Sequence, residues 1–303
     1  MNILEYAVAR KLAGGGSGGD GGILVCDVEN PNKRTQLHCL SDLKISFPLA
    51  NVIEESAFGI GISDNIAARF DAVDLPNVTN IGNSAFERVV TLKSVNAPNL
   101  ETIGDEAFSG CKLLETIIAP NVTTVGRNAF NACPTLGEFD FTNVTTLGYH
   151  SFYDTGLKSI YVPNITEVPE GAFAMCVLEN VNLPNVTIIG ERAFDCATKP
   201  NMLIKKIDLP RVKAIGSFAF AGLEKLSALI LRTTETVCVC EFSALESTPI
   251  ENLQGHIYVP ASMYEYYRAG YADALNAAYA EMGVSGAFDI MFRKIEDYPE
   301  ICG

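Results

Sequence analysis

Apolar residues recur along most of this chain on one long period, with polar residues filling the same slots between them. Between Leu75 and Phe220 a single phrase returns seven times: DLPNVTNIGNSAF, NAPNLETIGDEAF, IAPNVTTVGRNAF, DFTNVTTLGYHSF, YVPNITEVPEGAF, NLPNVTIIGERAF and DLPRVKAIGSFAF. The closing phenylalanines are Phe86, Phe108, Phe130, Phe152, Phe173, Phe194 and Phe220, spaced by 22, 22, 22, 21, 21 and 26 residues. A period in the twenties marks a solenoid, because a unit of that size cannot bury its own apolar face and does so only by stacking.

The second copy shows how one unit folds. Leu92, Val95 and Ala97 have the LxxIxL spacing of a short strand laid beside its copies in a parallel sheet. Pro98 cannot donate to a ladder and ends the strand. Asn99 is placed to bond its own backbone at the turn, with stacked asparagines bonding one another between coils. Leu100 and Ile103 point inward, Gly104 permits a tight corner, and Asp105-Glu106-Ala107-Phe108 reads as a helical turn. The phenylalanines are expected to pile into one spine, each buried ring contributing about 1.5–3 kcal/mol.

The chain divides by pattern into five parts. Residues 1–13 form a short amphipathic helix in which Ile3, Leu4, Tyr6, Ala7, Val8 and Leu12 alternate with Glu5, Arg10 and Lys11. Residues 14–22, nearly all glycine, act as a flexible tether. Residues 23–69 make an N-terminal cap, with Ile53 to Phe58 a degenerate repeat 28 residues before Phe86. Residues 70–249 are the repeats, the last one worn. Residues 250–303 form a C-terminal cap that opens with Ile257-Tyr258-Val259-Pro260, a copy of Ile160-Tyr161-Val162-Pro163. Ser262 is the expected N-cap of a helix there, Ala272 to Met282 reads as helix, and Phe288 to Ile295 as a returning strand. A helix over the last coil shields the open sheet edge.

The string LxxIxLPNVTxIGxxAFxxC resembles the BspA-type leucine-rich repeat family, through Ile81-Gly82 with Ala85-Phe86, Ile103-Gly104 with Ala107-Phe108, and Ile189-Gly190 with Ala193-Phe194. Val125-Gly126 with Ala129-Phe130 is a close variant; Thr142, Pro169, Ser151 and Arg211 depart from the pattern. The resemblance implies an α+β repeat solenoid, a right-handed superhelix with a parallel sheet on one face, short helical turns on the other and a helical C-terminal cap. It also implies a non-enzymatic role in adhesion or recognition, on a bacterial surface. The opening MNILEYAVARKLAGGGSGG is similar to the start of some phage virion proteins, which adds a virion as a second setting.

Composition narrows the partners. Hydrophobic residues make up 48% of the 303, too many for a disordered chain. The net charge of −14, from 22 basic and 36 acidic groups, argues against nucleic acid and against an anionic bilayer surface. No run approaches the roughly 18–20 apolar residues of a membrane span, and Glu5, Arg10 and Lys11 interrupt what would be the core of a secretory signal.

Candidate chemistry is sparse. Of nine cysteines, Cys111, Cys133 and Cys176 each follow a repeat phenylalanine by three residues and read as reduced, buried hydrophobes. Cys238-Val-Cys240 lacks the second pair a metal needs, and Cys26 with His38 and Cys39 reads as part of an irregular cap. Gly15 to Gly19 satisfies GxSxG, and Gly14 to Gly19 satisfies GxGxxG, but both need a strand before and a helix after, and neither has them. His150 and His256 have no nucleophile at a recognisable spacing. Asn77, Asn121, Asn143, Asn164 and Asn185 begin Asn-x-Thr triplets and read as turn asparagines before a β-favouring threonine. No cofactor is implied and catalysis is not expected.

One surface remains. Between the last two inward strand residues each coil has one outward position: Asp74, Asn96, Ile118, Asp140, Tyr161, Asn182, Asp208 and Ile230. Stacking is expected to align them as a face of varied polar, acidic and aromatic groups that binds a protein or glycan. The alternative is a structural spacer or assembly subunit, anchored into a larger complex through residues 2–13.

Overall fold

A computed structural model describes residues 23–25, 44–47, 50–58, 71–198 and 203–303. The N-terminal helix and glycine tether expected over residues 1–22, and Cys26, His38 and Cys39, lie outside these. The chain divides after Leu157 into two compact units. Both are parallel β-solenoids, with about eight coils in total.

In the first unit, three-residue strands at Ala72–Asp74, Ser94–Asn96 and Thr116–Ile118 lie side by side, preceded by Ile23–Val25 and Lys44–Ser46, all parallel. A second parallel sheet is made of two-residue strands at Val52–Ile53, Asn80–Ile81, Thr102–Ile103, Thr124–Val125 and Thr146–Leu147. In these the isoleucine, valine or leucine is buried and its neighbour faces outward. The degenerate repeat joins the stack through Ile53, paired with Ile81, and through Phe58, whose ring lies 5.1 Å from that of Phe86.

Among the described residues of the first unit, the third side of the coils carries no helical turn. Ser84, Glu106, Asn128 and His150 instead adopt left-handed backbone, with φ between 51° and 58°. Alternate amides cross to the next coil: Ser84 N donates to Asp105 O, Phe86 N to Ala107 O and Arg88 N to Ser109 O. The amides between them, Ala85 N and Glu87 N, close local turns onto Gly82 O and Ser84 O. A helix would direct every amide back along its own chain; sharing half of them with the neighbour satisfies the same groups while binding the coils together.

The corner glycine has a different reason from the expected one. Gly104 is not at positive φ; a Cβ there would lie 2.6 Å from the carbonyl carbon of Gly82, and Gly126 meets Gly104 in the same way at 2.5 Å. Glycine is required because successive backbones touch. The turn asparagines also differ: Asn99, Asn121 and Asn143 donate not to one another but to Pro76 O, Pro98 O and Pro120 O of the preceding coil, at 2.7–2.8 Å.

The second unit repeats this plan. Ser159–Tyr161 pairs with Asn180–Asn182; Glu167–Val168, Ile188–Ile189, Ala214–Ile215 and Val239–Cys240 form a second sheet. Lys206–Leu209, Ala228–Leu231, His256–Val259 and Phe292–Lys294 form a third, so the closing strand is added in parallel. Between the last two strands runs helix α1, Ala261–Ala280, which buries Met263, Tyr264, Tyr267 and Leu275 on one face. It begins before Ser262, which is not its N-cap; its first amide, Ala261 N, is met by Glu296 Oε2 at 2.9 Å. A carboxylate from the closing segment thus satisfies an end that the local sequence leaves open.

The phenylalanine spine runs within each unit. Ring centroids are 5.1 Å apart for Phe86 and Phe108, 5.3 Å for Phe108 and Phe130, and 5.1 Å for Phe130 and Phe152. In the second unit Phe173, Phe194 and Phe220 follow at 5.6 Å. All seven rings are fully buried.

Candidate functional site

The outward positions are presented by strand register. In the first unit Asp74 pairs with Asn96, and Asn96 with Ile118. Asn96 Nδ2 donates to Asp74 Oδ1 at 2.6 Å, and Ser46 Oγ donates to Asp74 Oδ2 at 3.2 Å, so the polar end of this row is already bonded to itself. Ile118 stands apart, 55% exposed. Asp140 is not on a strand; its Oδ1 accepts from Thr142 N at 2.9 Å, in a turn where the other copies carry proline.

In the second unit Tyr161 pairs with Asn182, and both are exposed, Tyr161 by 53%. Asp208 is engaged by Arg232, with Nε 2.8 Å from Oδ1 and Nη2 2.7 Å from Oδ2, a bidentate pair. Ile230 corrects the expected row: it is fully buried. It points outward from its strand, but Ile295, Tyr298 and Ile301 pack over it together with Ala228, Tyr258 and Cys302. Lys206 Nζ donates to Ile301 O at 3.0 Å, and Arg232 Nη2 donates to Cys302 O. The closing segment therefore lies across the outer face of this sheet, and no local signal at Ile230 announces it.

Cys111, Cys133 and Cys176 are buried and none is in a disulfide. Cys111 Sγ bonds Phe86 O and Cys133 Sγ bonds Phe108 O, each at 3.1 Å, and burial pushes both thiols up, Cys133 to about 12. Among the described residues no group of three His, Cys, Asp or Glu is placed to hold a metal ion. His150 stacks on Tyr149, with ring centroids 3.8 Å apart, and lies tilted against Tyr153 at 4.9 Å. His256 Nδ1 lies 3.0 Å from Ile290 O, and burial with nearby Arg293 lowers its pKa.

Residues 65–177 and 162–259 match the model of the BspA type leucine rich repeat region, in six copies. The chain belongs to this family. No curated protein matches it. Similar solved structures include a leucine-rich repeat protein from Bacteroides ovatus, 21% identical over 83% of each chain with a TM-score of 0.38. A leucine rich cell surface protein from Faecalibacterium prausnitzii is 17% identical over 74% of this chain and 89% of its own, with a TM-score of 0.32. The pneumococcal vaccine antigen PcpA is 15% identical over 82% and 89%, with a TM-score of 0.28. Among the described residues of this BspA-type protein no helix is long and apolar enough to cross a membrane.

The site that sequence patterning misses is a cleft of about 270 Å³ in the second unit, between helix α1 and the last coils. Tyr267, Tyr271 and Tyr279 line it from the helix, and Leu231, Ile257 and Phe292 from the strands. The tyrosines at positions i, i+4 and i+12 were a readable helical stripe, but the strands that oppose them are far away in sequence.

Proposed function

We propose that this BspA-type solenoid is a non-catalytic recognition or adhesion module that binds a protein or glycan through exposed outward strand positions, on a bacterial surface or a phage virion. The observation that carries this reading is that Ile118 and Tyr161, two large apolar side chains, stand more than half exposed on strands whose inward residues are buried. Repeat solenoids bind along such stacked faces, and large, weakly solvated side chains on a rigid backbone contribute most to binding. In the second unit Tyr161 and Asn182 are the free pair; Asp208 serves the bond to Arg232, and Ile230 is covered.

The test is a protein and glycan array probed with the full chain. A hit lost on Tyr161→Ala or Ile118→Ser, with unchanged thermal unfolding, supports recognition. A silent array, with self-assembly that vanishes when residues 1–22 are removed, supports the spacer reading instead.

A further inference from the structure

Independently of the sheet face, we propose that the cleft beneath helix α1 binds a small amphipathic cation, an apolar body carrying an ammonium group. The cleft holds about 270 Å³, near the lower end of ligand-site volumes, and its lining is mostly apolar. Three aromatic side chains come from the helix and one, Phe292, from the closing strand.

The tyrosine hydroxyls are already used. Tyr271 Oη accepts from Cys240 N at 2.9 Å and donates to Cys238 O at 2.8 Å; Tyr267 Oη accepts from Cys238 N at 2.9 Å; Tyr279 Oη donates to Glu251 O at 2.5 Å. These bonds hold the rings in place and leave their carbon surfaces, not their hydroxyls, to meet an occupant. Burial pushes the Cys238 and Cys240 thiols up, so both are neutral lining groups.

The charge at the cleft has one sign. Among the described residues Glu241 and Glu251 are the only acidic residues that line it, and no lysine, arginine or histidine does. Each carboxylate is oriented by a fixed donor: Ser217 Oγ on Glu241 Oε2 and Ser247 N on Glu251 Oε2, both at 2.6 Å. Aromatic rings beside two acidic residues, with the polarizable Met282 and Met291 in the same lining, attract an organic cation by its charge and its apolar surface together. A neutral apolar molecule gains only the second of these, and an anion meets repulsion.

The test uses the full chain with isotope-labelled methionine methyl groups, since Met282 and Met291 both line the cleft. Benzyltrimethylammonium is titrated against neopentylbenzene, its uncharged isostere. Saturable shifts are expected at both methyls, with the cation binding at least about tenfold more tightly, equivalent to about 1.4 kcal/mol. Changing Glu241→Gln together with Glu251→Gln is expected to remove that advantage while leaving the isostere unaffected. Ala278→Phe, a filling change at an exposed helix position on the lining, is expected to abolish both titrations without unfolding the chain. The proposal is overturned if the cation gives no saturable shift, if Ala278→Phe leaves its binding intact, or if the isostere binds as tightly as the cation.

Discussion

The ring of Phe108 lies 5.1 Å from that of Phe86 with the two planes 1° apart, although the residues are separated by a full coil of chain. That distance is close to the spacing of neighbouring strands, so each ring is simply translated with its coil. The spine and the sheets are one ladder seen from two sides. Truncating Phe108 leaves a void that neither neighbour can fill without breaking its own stack. Phe108→Ala is expected to cost about 3–5 kcal/mol, and Phe108→Leu clearly less, as read from denaturant unfolding.

Backbone contact predicts a second, smaller effect. A Cβ at Gly104 meets the Gly82 carbonyl carbon at 2.6 Å and Asn83 N at 2.7 Å, neither of which can move without opening the stack. Gly104→Ala is expected to destabilise by about 1–3 kcal/mol, the usual range for overpacking. An unchanged unfolding midpoint would show that the coils separate more easily than these distances allow.

Ser151 offers the opposite sign. It stands where six of the seven copies have alanine, it is fully buried, and its Oγ has no hydrogen-bond partner. An unsatisfied buried hydroxyl costs about 1–3 kcal/mol. Ser151→Ala should raise the melting temperature, and a fall would mean the hydroxyl is satisfied in solution.

The asparagine clamp is exposed and correspondingly weaker. Asn121 Nδ2 donates to Pro98 O at 2.8 Å, and a hydrogen bond of this kind contributes about 0.5–1.5 kcal/mol. Asn121→Asp removes the donor with almost no change of shape, and is expected to lose as much stability as Asn121→Ala. If the aspartate variant matches the parent, the clamp contributes nothing.

Acidification should loosen the C-terminal segment. Burial and then Arg293 hold His256 below its ordinary value near 6.5, with the Ile290 carbonyl opposing them in part. The unfolded chain therefore takes up this proton first, so stability is lost as pH falls from about 6.5 toward the lowered value. His256→Gln, which keeps a polar partner for Ile290 O, should flatten that loss when unfolding is followed between pH 7 and 5.

Much of the solenoid was legible because a repeat states its contacts many times over. Phe86, Phe108 and Phe130 share a slot, so stacking the coils had to stack the rings. The helical reading of Asp105 to Phe108 was wrong for a reason the segment cannot express: the Glu106 and Phe108 amides are claimed by Arg127 and Ala129 of the next coil. The turn asparagines likewise prefer a proline carbonyl one coil back over one another.

The chain's own pattern, then, was enough to determine the repeat, its inward positions and the burial of the cysteine slots, because each of these depends on spacing that recurs. What only the tertiary structure decided is what covers each surface. Ile230 has the same alternation as Tyr161, yet Ile295, Tyr298 and Ile301 bury it; Tyr271 and Phe292 share a cleft because the chain turns back after helix α1. Periodicity tells a side chain which way to point, but whether it meets water depends on segments that occur once, and these leave no period to read.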